Sequence, residues 1–320
     1  NYEQGSVYNA IIGGQCNTID NNCGHAFIGI GLCNSISSAY TDRSVIINGT
    51  SNTISGAYAG GSVIITGQSN CIDTEYGPNV MISGRYNTMS GYTSYSSILN
   101  ATGSSICDGV FAFIGTGKWN LASGGSSNDT AGGVIVGGIS NTASRASFIG
   151  NGLGNTVSGC YSSIVGGTLN TTSANCSFIG GGCSNSIAST GNCSTIGGGI
   201  NNSITCICSF IGGGNGNSVG SIGGVVVGGL NHTIGAETNF SIIAGGYCNY
   251  IVSSCAAQNS NTISGGNCSC ICSELSNNTI GGGQVNRIQC KVANSTIAGG
   301  ALNTICNTTD FDYGSFIGGG

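Results

Sequence analysis

The sequence predicts an all-β protein, a parallel β-solenoid whose coils average about 17 residues. Three observations predict this fold. A unit of nearly fixed length repeats from Asn9 to Gly320, its apolar residues alternate with a period of two, and each unit holds a glycine cluster where the chain can bend. The repeat is clearest in Ser177–Gly214, where SFIGGGCSNSI, STIGGGINNSI and SFIGGGNGNSV follow one another.

We number each unit from the serine that opens SFIGGGCSNSI. Nineteen units start within the 320 residues, and the eighteen steps between them cover 306 residues, an average of 17. Position 3 is isoleucine except at Met81 and Val226, position 6 is glycine except at Ala101, and position 9 is asparagine in fifteen of eighteen complete units. The units start at Asn9, Ala26, Ser44, Ser62, Asn79, Ser96, Ala112, Gly133, Ser147, Ser162, Ser177, Ser194, Ser209, Gly224, Ser241, Asn261, Asn278, Ser295 and Ser315.

Two short strands are predicted in every unit, one around position 3 and one around position 11. The glycine at position 6 makes the bend between them, where a side chain would collide or φ must be positive. Two such strands bury little alone, so the coils must stack, each strand pairing with its copy about 4.8 Å away. No segment has a capped 3.6-residue periodicity, so no helix is expected. We expect one continuous solenoid over residues 1–320, with roughly 18–19 coils.

Stacking aligns equivalent residues into ladders. Position 3 should form a buried aliphatic core, and the asparagine at position 9 a buried polar ladder whose amides bond the next coil and a turn carbonyl. The predicted core ladder contains Ile11, Ile28, Ile46, Ile164, Ile179, Ile196, Ile211 and Ile243. The predicted asparagine ladder contains Asn17, Asn52, Asn155, Asn185 and Asn202.

Three steps between units are longer than the others. Their extra residues fall near 123–133, 252–260 and 306–314. Insertions in solenoids become surface loops on one side, so these segments are expected to be surface loops, either spacers or sites of recognition.

Composition argues against several functions. Charged residues are 5% of the chain, the net charge is −5, and the six basic residues are scattered, so no nucleic-acid partner is expected. No apolar run approaches the roughly 20 residues of a membrane span. The histidines, His25 and His232, are isolated, and the acidic pairs Asp73/Glu75 and Asp310/Asp312 are expected in solvated turns. We therefore expect no enzyme, no cofactor and no metal site.

The 18 cysteines suggest an oxidising, extracellular setting. Several align between neighbouring coils, where a Cα separation near 4.8 Å lies within the disulfide range of roughly 4.4–6.8 Å. Parallel Cβ directions are not ideal for bridging, so disulfides and unbridged thiols both remain open. The candidates are Cys16, Cys33, Cys176, Cys193, Cys208, Cys248 and Cys268. A further cluster, Cys268, Cys270 and Cys272, should lie on one face of a strand and form a disulfide or a thiol stack.

Thirteen N-x-S/T triplets occur, and in a chain this rich in Asn, Ser and Thr many arise by accident. Glycans would nevertheless supply the solubility that so few charges do not. The candidate glycosylation sites, placed in turns or at strand edges, are Asn175, Asn192, Asn239, Asn267 and Asn307.

Position 2 points away from the core yet is apolar in many units. Such a long apolar stripe is more than a monomer normally exposes, so we expect other chains to cover it, as in a homotrimer. The candidate assembly stripe contains Phe27, Phe113, Phe148, Phe178, Phe210 and Phe316.

Two units carry a family resemblance, SFIGNGLGNTVSG (Ser147–Gly159) and SSIVGGTLNTTS (Ser162–Ser173). They resemble the head repeats of YadA-type trimeric adhesins, and similar repeats occur in fibres of phages and large viruses. The resemblance implies a left-handed parallel β-roll in a homotrimer. The chain departs from the family in its longer coils and its abundant cysteine.

These observations favour the structural shaft of an extracellular fibre, on a cell or virion surface, assembled laterally. The half-units NYEQGSVY and SFIGGG would also complete one coil between two copies, so head-to-tail stacking is expected. The alternative is an adhesin that binds host glycans or a receptor through its loops. A remote alternative is ice binding, because position 10 is Ser or Thr in thirteen of eighteen complete units and would form an outward hydroxyl ladder.

Overall fold

The computed structural model describes residues 2–3, 8–20, 23–37, 42–125, 131–253 and 260–320, with the backbone alone at residues 2, 3 and 310. The chain divides into two compact structural units, Asn1–Tyr161 and Ser162–Gly320. From here on, the first and the second unit mean these two parts of the chain, and a single repeat is called a coil or a turn. Each is an all-β parallel solenoid with about 17 residues per turn and two short strands in each turn. No helix occurs in the described ranges, and so none that is long and apolar enough to cross a membrane. The predicted fold class is confirmed.

In the first unit, the first strand of each coil occupies positions 2 and 3. These strands are Ala10–Ile11, Phe27–Ile28, Val45–Ile46, Val63–Ile64, Val80–Met81, Ser97–Ile98, Phe113–Ile114, Val134–Ile135 and Phe148–Ile149. The second strands are Tyr2–Glu3, Thr18–Ile19, Ser35–Ile36, Thr53–Ser55, Cys71–Thr74, Thr88–Gly91, Ser105–Cys107, Leu121–Ser123, Thr142–Ser144 and Thr156–Val157. A short third sheet joins Gly84–Arg85, Ala101–Thr102 and Gly117–Lys118.

The second unit repeats this arrangement. Its first strands are Ser163–Ile164, Phe178–Ile179, Thr195–Ile196, Phe210–Ile211, Val225–Val226, Ile242–Ile243, Thr262–Ile263, Thr279–Ile280, Thr296–Ile297 and Phe316–Ile317. Its second strands are Thr171–Thr172, Ser186–Ile187, Ser203–Ile204, Ser218–Val219, Thr233–Ile234, Tyr250–Ile251, Cys270–Ser273, Arg287–Ala293 and Thr304–Tyr313.

The strands of each unit pair in parallel and in register, so that identical positions lie opposite one another. Ile179 pairs with Ile164 on one side and with Ile196 on the other. A third ladder, which we had not predicted, runs through position 7, where Cys183 bridges Thr168 and Ile200. Within a unit, neighbouring turns such as those of Thr168, Cys183 and Ile200 are therefore held together at three places on their circumference.

The core of each unit consists of the aliphatic side chains at positions 3 and 11. Of the predicted core ladder, Ile11 is half-buried and Ile28, Ile46, Ile164, Ile179, Ile196, Ile211 and Ile243 are fully buried. Opposite them lie buried position-11 residues such as Ile187 and Ile204. Burying one such side chain stabilises the fold by about 1.5–3 kcal/mol.

The asparagines at position 9 form a hydrogen-bonded ladder. Asn17, Asn52, Asn155, Asn185 and Asn202 are all fully buried. The backbone N–H and the Nδ2 of Asn202 both donate to Asn185 Oδ1, at 3.1 Å each. Asn185 Nδ2 donates to the carbonyls of Gly181 and Gly199, both at 2.9 Å. Each amide thus serves its own turn and the next, so it can be buried without an unpaired polar atom.

A second polar ladder, which we had not predicted, runs through position 1. The backbone N–H of Ser209 donates to Ser194 Oγ at 2.9 Å, and that of Ser177 donates to Ser162 Oγ at 3.0 Å. Each hydroxyl replaces the water that a buried backbone N–H would otherwise need. The serine that recurs at position 1 of the sequence could have indicated this ladder.

The turns depend on positive φ at three positions. At position 6, Gly182 has φ +91°, and a Cβ there would lie 2.8 Å from Asn185 Nδ2, so the ladder itself requires glycine. Position 8 and the residue before position 1 are also left-handed but accept large side chains, including Trp119 (φ 54°) and Tyr161 (φ 55°). Those side chains point out of the coil, where nothing limits their size.

Most of the segment expected as a surface loop at 306–314 lies in the strand Thr304–Tyr313. This strand pairs with Arg287–Ala293, and the register shifts between Cys290 and Val292, so that residues 308–311 are left out of the ladder. The extra residues are absorbed in a bulge because both sides of it remain in the parallel ladder. The predicted loops near 123–133 and 252–260 include residues 126–130 and 254–259, which lie outside the described residues.

Candidate interaction surfaces

The outer face of the first-strand sheet is apolar in both units. Phe178 is 40% exposed although it stands in the middle of a strand. Along the candidate assembly stripe, Phe27 and Phe113 are half-buried, whereas Phe148, Phe178, Phe210 and Phe316 are exposed. Position 4 points to the same side and adds exposed aliphatic residues such as Val165 and Val227.

Positions 2 and 4 compensate each other in size. Where position 2 is phenylalanine, position 4 is glycine, and the ring lies over it: a Cβ at Gly180 would be 3.5 Å from Phe178 Cε1. Where position 2 is valine, position 4 is aliphatic, as in Val225 and Val227. The pairs with phenylalanine and glycine are Phe27–Gly29, Phe113–Gly115, Phe148–Gly150, Phe178–Gly180, Phe210–Gly212 and Phe316–Gly318. The exchange holds in the repeats with phenylalanine or valine at position 2, whereas four repeats are small at both positions: Thr195–Gly197, Thr262–Ser264, Thr279–Gly281 and Thr296–Ala298.

The outer face of the second-strand sheet carries hydroxyl groups. Position-10 residues such as Thr171, Ser186 and Ser203 are half-buried and lie in register. The row is interrupted by larger residues, among them Leu121 and Tyr250, which is 39% exposed. The two sheet faces of a coil therefore differ in chemistry, one apolar and one hydroxylated.

The seven cysteines predicted as disulfide candidates are thiols in the structure. Cys16, Cys33, Cys176, Cys193, Cys208 and Cys268 are exposed, and Cys248 is half-buried. In-register stacking keeps their Cα–Cβ bonds parallel, so that neighbouring thiols lie side by side and do not point at each other. Two pairs are in direct contact. Partial desolvation and the neighbouring Cys16 thiol raise the pKa of Cys33, and Cys248 acts in the same way on Cys268.

One disulfide occurs among the described cysteines, between Cys270 and Cys272 of the strand Cys270–Ser273. It belongs to the cluster that the sequence places on one strand face. A third thiol contact lies nearby, where a hydrogen bond with Cys290 raises the pKa of Cys306. Cys255 lies outside the described residues.

The candidate glycosylation sites differ in accessibility. Asn175 and Asn267 are exposed. Asn192 and Asn239 are half-buried, and their Oδ1 atoms accept backbone N–H groups of Asn175 and Ile222 at 2.8 and 3.0 Å. Asn307 is half-buried, and its Oδ1 accepts the N–H of Thr309 at 3.2 Å. The exposed pair offers the side chain most directly to a modifying enzyme.

His232 occupies position 9 in place of asparagine and is fully buried. Its Nδ1 accepts the backbone N–H of Asn249 at 3.1 Å, as an asparagine Oδ1 would, but Nε2, on the side of the Gly246 backbone, makes no well-formed hydrogen bond. Burial lowers the pKa of His232, which disfavours the charged imidazolium inside the coil. Among the described residues, no three His, Cys, Asp or Glu side chains converge as metal ligands would.

No family model matches this chain, and no curated protein matches it. The resemblance to the head repeats of YadA-type adhesins therefore stays a prediction, because a parallel β-solenoid is a fold that unrelated families share.

Proposed function

We propose that this protein is the structural shaft of an extracellular or virion-surface fibre, in which copies of the chain pack side by side through the outer face of the first-strand sheet. A stacked β-solenoid suits a structural repeat shaft, because each turn adds length without changing the cross-section. The exposed apolar strip at positions 2 and 4, with its size compensation in the repeats that have phenylalanine or valine at position 2, carries the proposal.

Contact with water alone would not account for this compensation in side-chain size. Water adapts to any shape, so a solvated face gains nothing when phenylalanine is matched with glycine and valine with isoleucine. A flat partner does gain, because close packing at an interface requires an even surface without voids. A contiguous apolar strip is also the kind of surface that marks an assembly site. A second copy presents such a strip, and we propose a homotrimer.

Sedimentation at micromolar concentration tests the assembly. The double variant Phe178→Thr/Phe210→Thr should dissociate a homo-oligomer, and it should fold, since Thr195 holds position 2 between them. The matched control is Tyr250→Thr, which removes a similarly exposed ring from the hydroxyl face and should leave the assembly unchanged.

A wild-type chain that sediments as a monomer would refute lateral assembly, and so would a double variant that sediments like the wild type. If the monomer then bound immobilised glycans, the adhesin alternative would replace the shaft. If it produced thermal hysteresis, the hydroxyl face would be an ice-binding surface. Electron micrographs of the secreted protein would separate fibres from discrete particles.

A further inference from the structure

Tyrosines of the first unit line up in a row beside the second-strand sheet. Tyr58, Tyr76 and Tyr92 come from three successive turns, and their ring centroids are 6.2 Å and 5.9 Å apart, with interplanar angles of 17° and 27°. A second, shorter row contains Tyr95 and Phe111, whose centroids are 5.4 Å apart. The rings of the row are stacked, so Tyr76 has a ring on each side, and Tyr92 at the end of the row keeps one face that no ring of the row covers. Such a face is apolar and carries negative charge density.

A cavity of about 250 Å³ lies where the two rows meet. Its lining consists of Tyr76, Gly77, Tyr92, Ser94, Tyr95 and Val110. Pockets for drug-sized ligands have roughly 300–1,000 Å³, so this cavity suits a head group rather than a large molecule.

Carboxylates stand beside the rings. Asp108 Oδ1 accepts the backbone N–H of Tyr92 at 3.0 Å, which fixes this carboxylate next to the cavity. The negative charge of Glu75, which also accepts a hydrogen bond from the Tyr92 hydroxyl, raises the pKa of Tyr92. No lysine or arginine occurs in the lining segments 71–78, 90–95 and 107–111. The lining segments are therefore aromatic and anionic, and Arg43 lies in a neighbouring cleft that Pro78 also lines.

We propose that this cavity binds a small organic cation, an alkylammonium group of the quaternary type. Aromatic faces attract a cation placed within about 6 Å of the ring centroid, and aromatic cages are a recurrent way to hold quaternary ammonium groups. The carboxylates of Glu75 and Asp108 add attraction at longer range. A neutral sugar would use the rings but not the negative charge, and this difference separates the two ligand classes.

Choline and its neutral isostere, with carbon in place of the quaternary nitrogen, are the probes. Binding is followed through saturation transfer to the methyl protons and through the tyrosine signals. We expect choline to bind at least tenfold more tightly than the isostere, and less tightly as salt is raised. Equal affinity of the two compounds would overturn the proposal, as would no binding of choline, or binding of a methyl glucoside in its place.

Three variants locate the site. Tyr92→Ala should abolish binding, and Glu75→Gln, at an exposed side chain that leaves the fold intact, should weaken choline several-fold while leaving the isostere unchanged. Tyr58→Ala is the matched control, because Tyr58 belongs to the same row but does not line the cavity. A Glu75→Gln variant with wild-type affinity, or a loss of affinity in Tyr58→Ala equal to that in Tyr92→Ala, would contradict the assignment.

Discussion

Replacing one asparagine of the ladder with alanine should weaken a single part of the solenoid. Asn185→Ala removes an amide that accepts two hydrogen bonds from Asn202 and donates to the carbonyls of Gly181 and Gly199. Gly199 O keeps a bond from the N–H of Cys183, but the buried N–H of Asn202 is left without an acceptor. Each of the four lost bonds costs about 1 kcal/mol and the orphaned donor a further 1–3 kcal/mol, so we expect roughly 5–7 kcal/mol.

Serine provides the matched comparison, because the chain already uses it at this position. Ser104 Oγ accepts the backbone N–H of Asn120 at 3.2 Å, so a hydroxyl can serve the next turn although it cannot donate two bonds as the amide does. Asn185→Ser should therefore keep the N–H of Asn202 satisfied and cost about 1–2 kcal/mol.

Native-state hydrogen exchange is the appropriate assay, since long repeat arrays do not unfold as two-state systems. Protection should fall most at the amide of Asn202, and most in the alanine variant. Turns further away should keep their protection because each turn contacts only its neighbours. Equal losses in the alanine and serine variants, or a uniform loss along the chain, would refute the role given to the ladder.

Three further changes test other parts of the molecule. Ile179→Ala should cost about 2–5 kcal/mol through lost burial and the cavity left behind, with exchange accelerated only in the adjoining turns. His232→Asn should stabilise the fold by about 1 kcal/mol, because the amide can also donate. In the wild type, the pKa of His232 is lower in the folded chain than in the unfolded one, where it is about 6.5. As the pH falls below about 6.5, the unfolded chain therefore binds a proton at His232 before the folded chain does, and the stability should decline. Melting curves of the asparagine variant should lack this decline. A mild disulfide oxidant should link Cys248 to Cys268, faster as the pH rises because the pKa of Cys268 is raised, and non-reducing peptide mapping with Cys268→Ser as control would detect the link.

The sequence predicted the inside of the coil better than its outside. Inward positions such as Ile179 and Asn185 recur because the space they fill is the same in every turn, so their period reveals both strand and ladder. Outward positions are not constrained in this way. Trp119 has a positive φ, which cannot be predicted from its residue type. The tyrosines of the aromatic row follow the second strand, where the repeats differ in length, so their alignment could not be predicted from the period.

Two other features were visible in the sequence but were not predicted from it. The exchange of Phe178–Gly180 for Val225–Val227 is visible in the repeat, yet its meaning depends on seeing that both positions share one face. The segment 306–314 was expected to loop out because its step is long. Extra residues can instead be absorbed by a register shift within a paired strand, and step length alone does not distinguish the two outcomes.

The asparagine ladder also has a direction. In the second unit the acceptor always belongs to the earlier turn and the donor to the later one, from Asn170 with Asn185 through to Asn286 with Asn303. Amide dipoles aligned in this way add rather than cancel, as peptide dipoles do along a helix. Such a column has an acceptor side, which faces later turns, and a donor side, which faces earlier turns. A column with two different ends can be extended only by a second column of the same orientation, so that growth through it would proceed in one direction. Two columns that met by like ends would repel each other.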